Sequence, residues 1–286
     1  MNQKRVLILG STGMLGHQVT KYFLTINKYK VFNTSFRTKL NQDTVILNIL
    51  DCNVLEDFIY KIKPDFIINC IGVLISGSDN IENAIYINAY LPHKLKSIAN
   101  KINSRVIHIS TDCVFSGKKS EYIEKDIRDG TGVYAQTKIL GEVIDNRNLT
   151  LRTSIIGPEL KASGEGLFHW FMNQKANING YTKEVWSGVT TIELAKIINC
   201  VIEGNVTGLY HVTNNNSITK YDLLLLFNKY TKKNLNITPI DGNNSDKSLI
   251  DTRKLINYTV PSYDEMVFNM IEFTKEHNQL YSYNNL

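Results

Sequence analysis

The sequence predicts an α/β fold, a doubly wound parallel sheet with a smaller C-terminal lobe. Three observations predict it. Strands and helices alternate through residues 1–156. A glycine-rich turn follows the first apolar run. After Gly157-Pro158 that alternation loosens. Alternation with short connections implies right-handed crossovers and a sheet covered on both faces.

Val6–Leu9 is a continuous apolar run, the mark of a strand buried on both sides. The glycine turn leads into a helix over Met14–Thr25. Further strands are predicted at Lys30–Phe36 and Thr44–Ile49. Asp51 and Asn53 can cap a helix over Val54–Ile62, which ends before Pro64. Phe66–Ile71 reads as the fourth strand and Glu82–Ile102 as one long helix. Val106–Ser110 and Leu149–Ile156 read as the fifth and sixth strands. The second part is predicted to hold helices at Ile192–Ile202 and Lys220–Tyr230, with a strand at Leu209–Val212. The division is therefore placed at 1–155 and 156–286, with segments of the second part returning to the first.

Composition narrows the class. Hydrophobic residues make up 43% and charged residues 21%, enough apolar content for a globular core. The net charge of +5 is spread without a basic stripe, which argues against nucleic acid as a partner. Cys52, Cys70, Cys113 and Cys200 include no C-x-x-C pair, so reduced cytoplasmic thiols are expected. No H-E-x-x-H occurs among the six histidines, and no metal is expected. The first strand begins almost at once, and no apolar run reaches the roughly 18 residues of a membrane span. A cytoplasmic protein without a membrane partner is the expectation.

Gly10-Ser11-Thr12-Gly13-Met14-Leu15-Gly16 carries the first chemical signal. Gly10 permits a sharp turn, Gly13 lets backbone approach a pyrophosphate, and Gly16 lets helix pack on strand. Helix N–H groups then face the phosphates. The second strand ends in Asn33-Thr34-Ser35-Phe36-Arg37, with no carboxylate to hold a ribose 2′-hydroxyl. Arg37 can instead pair with a 2′-phosphate, which favours NADP (NADPH) over NAD; the alternative is a solvent-facing arginine.

Tyr134 and Lys138 lie one helical turn apart and share a helix face. A phenol has a pKa near 10, and a nearby ammonium with the positive ring of a bound cofactor is expected to lower it. Tyrosine can then exchange a proton with a substrate oxygen. A strand ending in Ser110-Thr111 precedes Tyr134 by about two dozen residues.

The G-x-x-G-x-x-G spacing resembles that of extended short-chain dehydrogenases and epimerases. Ser110-Thr111-Asp112-Cys113-Val114-Phe115-Ser116-Gly117 resembles S-T-D-x-V-F-x-G of dTDP-4-dehydrorhamnose reductases and related nucleotide-sugar 4-keto reductases of polysaccharide synthesis. Tyr122-x-Glu124-x-Asp126 and Lys138-Ile-Leu-Gly-Glu142 extend the resemblance. It implies a Rossmann-like domain, a C-terminal substrate lobe, a nucleotide-linked sugar as substrate, and is compatible with a homodimer. On that pattern Thr111 holds the substrate carbonyl, Tyr134 is the acid, and Lys138 binds the nicotinamide ribose. Asp51 resembles an adenine-contacting aspartate. Cys70, Ile71 and Gly72 resemble the segment under the adenosine ribose, with Ser110 also beside the cofactor. Val73, Thr111, Asp112, Cys113 and Trp186 are the candidate substrate contacts; core packing is the other reading of Trp186. Asn88 matches an asparagine that supports the site in this family, or is a surface residue.

Two departures stand out. Gly130-Thr131-Gly132 replaces a proline that often precedes the tyrosine, and Ala135 replaces a following glycine. A 4,6-dehydratase needs an Asp-Glu pair after the threonine, whereas Asp112 is followed by Cys113. A combined epimerase-reductase would use the Cys113 thiol with a histidine, for which His169 is the candidate. A small buried thiol is the simpler reading. A non-catalytic dinucleotide sensor commonly loses the tyrosine or lysine, and both are present.

Overall fold

The computed structural model describes residues 3–283 and 286, except for the side chain of Cys52. The elements run β1 (Lys4–Leu9), α1 (Gly16–Thr25), β2 (Tyr29–Ser35), β3 (Val45–Ile46), α2 (Cys52–Ile62) and β4 (Phe66–Asn69). Then follow α3 (Ile81–Ala84), a π-helical turn over Ile85–Tyr90, α4 (Leu91–Lys101), β5 (Arg105–Thr111), α5 (Gly132–Leu140) and β6 (Leu149–Thr153). Next come β7 (Ile155–Ile156), α6 (Leu167–Asn173), β8 (Ile178–Tyr181), β9 (Glu184–Trp186), β10 (Val189–Thr190) and α7 (Thr191–Glu203). The chain closes with β11 (Gly208–His211), β12 (Ile218–Thr219), α8 (Lys220–Tyr230), β13 (Ile237–Ile240), β14 (Ser245–Asp246) and α9 (Tyr263–Glu276).

The main sheet has seven parallel strands in the order β11-β6-β5-β4-β1-β2-β3. The order reverses beside β1, between β4 and β2, so the carboxyl ends of β1 and β4 flank a crevice. Alternation within β1 explains the burial. Val6 and Ile8 enter the core shared with α1 and α7, while Leu7 and Leu9 enter the core shared with α2 and α4. All four are fully buried, each contributing about 1.5–3 kcal/mol.

Several boundaries differ from the sequence reading. The first helix begins at Gly16, because residues 11–15 form the turn above β1. Only Val45 and Ile46 pair in the third strand. The long apolar run at 149–156 divides: β6 stays in the main sheet, and β7 pairs with β10 in a separate sheet. The predicted single helix at 82–102 contains the π-helical turn. The strand near residue 209 lies beside β6 as the edge of the main sheet. Helix α9, which the sequence reading does not assign, packs against α7 and α8.

Candidate active site

The turn between β1 and α1 is shaped by close backbone approach. Gly10 has φ +82°, and its N–H and that of Ser11 donate to the Thr34 carbonyl at 3.1 and 2.8 Å. A Cβ on Gly16 would stand 2.0 Å from the Gly10 carbonyl oxygen, so no other residue fits there without displacing the helix. The Gly13 N–H donates to Gly10 O at 3.0 Å. No side chain caps α1, and its first turn holds no acid. The Ser11 hydroxyl is buried without a hydrogen-bond partner. A buried orphan hydroxyl beside an uncapped helix start suits an anion. Thr12, Met14 and Leu15 complete the turn. The residues present thus fit the phosphates of a dinucleotide.

At the end of β2, Arg37 is exposed and its guanidinium lies 5.0 Å from the Phe36 ring centroid. Asp51 is the N-cap of α2, accepting from the Val54 N–H at 3.2 Å. Past β4, Cys70 N–H donates to Leu9 O, and burial pushes its thiol up to about 12. Ile71 N–H donates to Asn69 Oδ1 at 3.2 Å. Asn88 is completely buried, so it is not a surface residue. Its Oδ1 accepts from Val73 N–H at 2.9 Å, and its Nδ2 donates to Val73 O at 3.0 Å and to Thr137 Oγ1 at 3.3 Å. The π-helical turn therefore clamps the loop carrying Gly72 and Val73.

Helix α5 begins at Gly132, φ +85°, and packs against that turn so closely that a Cβ on Gly141 would meet Asn88 O at 1.8 Å. Gly130 is equally constrained, because a Cβ there would lie 2.4 Å from Cys113 O. Tyr134 is half-buried, and the Thr111 hydroxyl is near enough to act on its phenol. Lys138 is buried; its Nζ donates to Ile109 O at 2.7 Å and lies 3.5 Å from His108 Nε2. Burial lowers the Lys138 pKa to about 8, with Glu142 pulling the other way. The Tyr134 phenol is raised, first by burial and then by Cys113, with the Thr111 hydroxyl opposing. The Lys138 ammonium is directed at a backbone carbonyl. Behind the site, Ser110 Oγ donates to Glu142 Oε1 at 2.8 Å, and Arg152 grips both Glu142 oxygens at 2.6 and 2.7 Å.

Residues 4–251 match the family model described as RmlD substrate binding domain. The chain belongs to that family. It is 30% identical over 240 residues to methionine adenosyltransferase 2 subunit beta of Bos taurus, covering 77% of this chain and 70% of that protein. It is 27% identical over 237 residues to dTDP-4-dehydrorhamnose reductase of Aggregatibacter actinomycetemcomitans, covering 77% of each. In fold it is similar to the dTDP-4-dehydrorhamnose reductase of Bacillus anthracis, solved in complex with NADP, at TM-score 0.82 and 20% identity over 96% of this chain and all of that one (100%).

The remaining candidates of this RmlD-family chain separate on inspection. Thr111 Oγ1 donates to Asp112 Oδ1 at 3.0 Å and accepts from Cys113 N–H at 3.1 Å. Burial pushes the Asp112 carboxyl up, opposed by Lys247, and pushes the Cys113 thiol up to about 11. Lys247 Nζ reaches Cys113 Sγ at 3.8 Å. The sequence reading does not single out Lys247, since nothing local marks it. His169 is turned elsewhere: its ring nitrogens contact Tyr283 OH at 2.9 Å and Ala162 O at 3.2 Å. Trp186 packs in the core, 5.6 Å from the Tyr263 ring, with 7% exposure. Among the described residues no group of three or more His, Cys, Asp or Glu could hold a metal ion. No helix there is long and apolar enough to cross a membrane.

Proposed function

We propose that this chain is an NADPH-dependent reductase of the 4-keto group of a nucleotide-linked 4-keto-6-deoxy sugar. The observation that carries it is Tyr134 and buried Lys138 one turn apart on α5, with Thr111 at the carboxyl end of β5 acting on the phenol. Gly10–Gly16 with Ser11 would hold the pyrophosphate, Asp51 and the Cys70–Gly72 loop the adenosine, and Arg37 the 2′-phosphate. Bound there, a reduced nicotinamide supplies a hydride. Thr111 holds the carbonyl oxygen by its hydroxyl. Tyr134 gives that oxygen a proton, and its raised phenol keeps the proton available at neutral pH. Lys138, near 8, can lend its ammonium to the nicotinamide ribose. Val73, Asp112 and Cys113 line the sugar side. Residues 1–155 then form the dinucleotide domain and 156–286 the substrate lobe, with β11 returning to the sheet. The free thiols of Cys70, Cys113 and Cys200 accord with the cytoplasm.

The test is NADPH oxidation on adding a nucleotide-linked 4-keto-6-deoxy sugar. Turnover should fall at least roughly 10²-fold in Tyr134→Phe while dinucleotide binding stays nearly intact. No wild-type oxidation across a panel of such sugars overturns the assignment. Equal kcat/KM for NADH and NADPH overturns the cofactor preference.

A second reading rests on the 30%-identical relative named as a methionine adenosyltransferase subunit. There the chain would bind dinucleotide without turnover and attach to a methionine adenosyltransferase. Co-purification with such an enzyme, with no keto-sugar reduction, would favour it.

A further inference from the structure

Against the glycine turn lies a chain of buried polar side chains that the proposed reaction does not use. The Gly13 carbonyl accepts from the His17 backbone N–H at 3.2 Å and lies 2.8 Å from His17 Nδ1. A carbonyl only accepts, so Nδ1 carries the ring proton. Burial holds His17 down at about 4, so at neutral pH its Nε2 is bare. Nε2 therefore accepts from Tyr281 OH at 2.8 Å. The same phenol oxygen accepts from Gln18 Nε2 at 3.4 Å, and Gln18 Oε1 accepts from Thr191 Oγ1 at 3.1 Å. His17, Gln18 and Thr191 are fully buried.

Both donors to the Gly13 carbonyl belong to α1. In a trans peptide the Met14 N–H points opposite to that carbonyl. Holding the carbonyl toward α1 thus aims the Met14 N–H out of the helix start, where a phosphate would sit. Tyr283 works on the other side of Met14. Its ring stacks with that of Tyr281 at 5.8 Å and 10°. Its OH accepts the Glu159 N–H at 2.7 Å and meets His169 Nδ1 at 2.9 Å. Glu159 Oε1 in turn accepts the Gly166 N–H at 2.6 Å, at the start of α6. Gly166 stands against the turn: a Cβ there would lie 3.1 Å from Met14 Sδ.

We propose that Tyr281 and Tyr283 form a clasp that sets dinucleotide affinity. Tyr281 fixes the phosphate turn through His17, and Tyr283 holds residues 159–166 against Met14 of that turn. The inference rests on the dinucleotide site of the reading above, and it applies whether or not a keto-sugar is reduced. Each tyrosine acts through another residue, so both are positioning residues.

Calorimetric titration of the full chain tests it, with NADPH and with adenosine 2′-monophosphate, which has no pyrophosphate. Tyr281→Phe keeps the ring but leaves His17 Nε2 without a donor. It should weaken NADPH about five- to tenfold and leave adenosine 2′-monophosphate unchanged. On a His17→Phe background the Tyr281 substitution should weaken NADPH no further, and a further loss overturns the route through His17. Tyr283→Phe should weaken NADPH about threefold and speed amide hydrogen exchange at residues 159–166. Equal losses for the two ligands mean general loosening and overturn the clasp, since a merely structural tyrosine would not single out the pyrophosphate. A wild type that binds NADPH, with both tyrosine variants unchanged, overturns the clasp alone. A wild type that binds neither NADPH nor NADH overturns the dinucleotide reading and the clasp together.

Discussion

Asn88→Ala tests whether the π-helical turn holds the cofactor loop. Asn88 is buried and makes three side-chain hydrogen bonds, two to Val73 and one to Thr137. Val73 is half-buried, so its freed N–H and C=O regain water, and each loss costs about 0.5–1 kcal/mol. Thr137 keeps its own bond to Val133 O at 2.8 Å, so the third loss lies at the low end of that range. A small cavity adds to the total, giving roughly 2–3 kcal/mol. Thr137→Val removes the third bond together with the hydroxyl's own bonds to Val133 O and Tyr134 O, and should cost about 1–2 kcal/mol. Urea unfolding followed by circular dichroism measures both. Dinucleotide affinity, measured by calorimetric titration, should weaken about tenfold in Asn88→Ala, since ordering the 70–73 loop on binding then costs about 1.4 kcal/mol. A stability loss under about 0.5 kcal/mol with unchanged affinity would refute the clamp.

The other expectations concern charge and protons. Glu142→Gln leaves Arg152, 1% exposed, without its carboxylate and should cost about 3–5 kcal/mol at pH 7. Burial opposes the Glu142 charge, yet its partners hold the pKa below the usual range, so the stabilisation exists above the unfolded pKa and fades as pH falls through the folded one; urea midpoints should converge with the wild type in acid. Lys138 titrates at about 8 when folded and 10.5 as a free side chain, so the folded state binds fewer protons in that window and its stability rises with pH there. Relative to Lys138→Met, the wild type should gain about 2–3 kcal/mol between pH 7 and 10.5, and a flat difference would refute the buried placement. Enzyme, oxidised cofactor and keto-sugar in D₂O should show no enzyme-dependent deuterium uptake by NMR; uptake lost in Cys113→Ser would mean that the thiol works at a carbon beside the ketone.

What was legible in the sequence was local backbone chemistry. Gly10, Gly13 and Gly16 declare themselves because one short turn needs them all, and Tyr134 and Lys138 because one helical turn relates them. The parallel sheet is legible for the same reason: Val6–Leu9 of β1 and Phe66–Ile68 of β4 are apolar on both faces, and β5 places Val106 and Ile107 on opposite ones. What depends on distant pairing is not. Cys113 and Lys247 are 134 positions apart and meet only because the 245–250 strap pairs with the loop after β5. The burial of Asn88 depends on α5 docking against the π-helical turn. His169 and Trp186 carry no local mark of their surroundings, and the structure spends them on Tyr283 and Tyr263.

The protonation states around Thr111 share one direction and one cause. Burial raises the Tyr134 phenol, the Cys113 thiol and the Asp112 carboxyl, and it lowers Lys138 and His108. Each shift favours the neutral form, as expected where the carboxyl ends of parallel strands are covered by a second layer of chain. The Glu142 charge, compensated by Arg152 and Arg128, stands behind Ser110 rather than in front of it. A site whose thiol holds its proton is a poor place to make a carbanion, which needs a thiolate or another strong base near the sugar. It is a good place to quench an alkoxide, which needs a phenol that still holds its proton. With Cys113 held as a thiol near 11 and His169 engaged with Tyr283 and Ala162, the electrostatics that on the proposed reading would keep the proton on Tyr134 also favour the thiol over the thiolate that epimerisation would need.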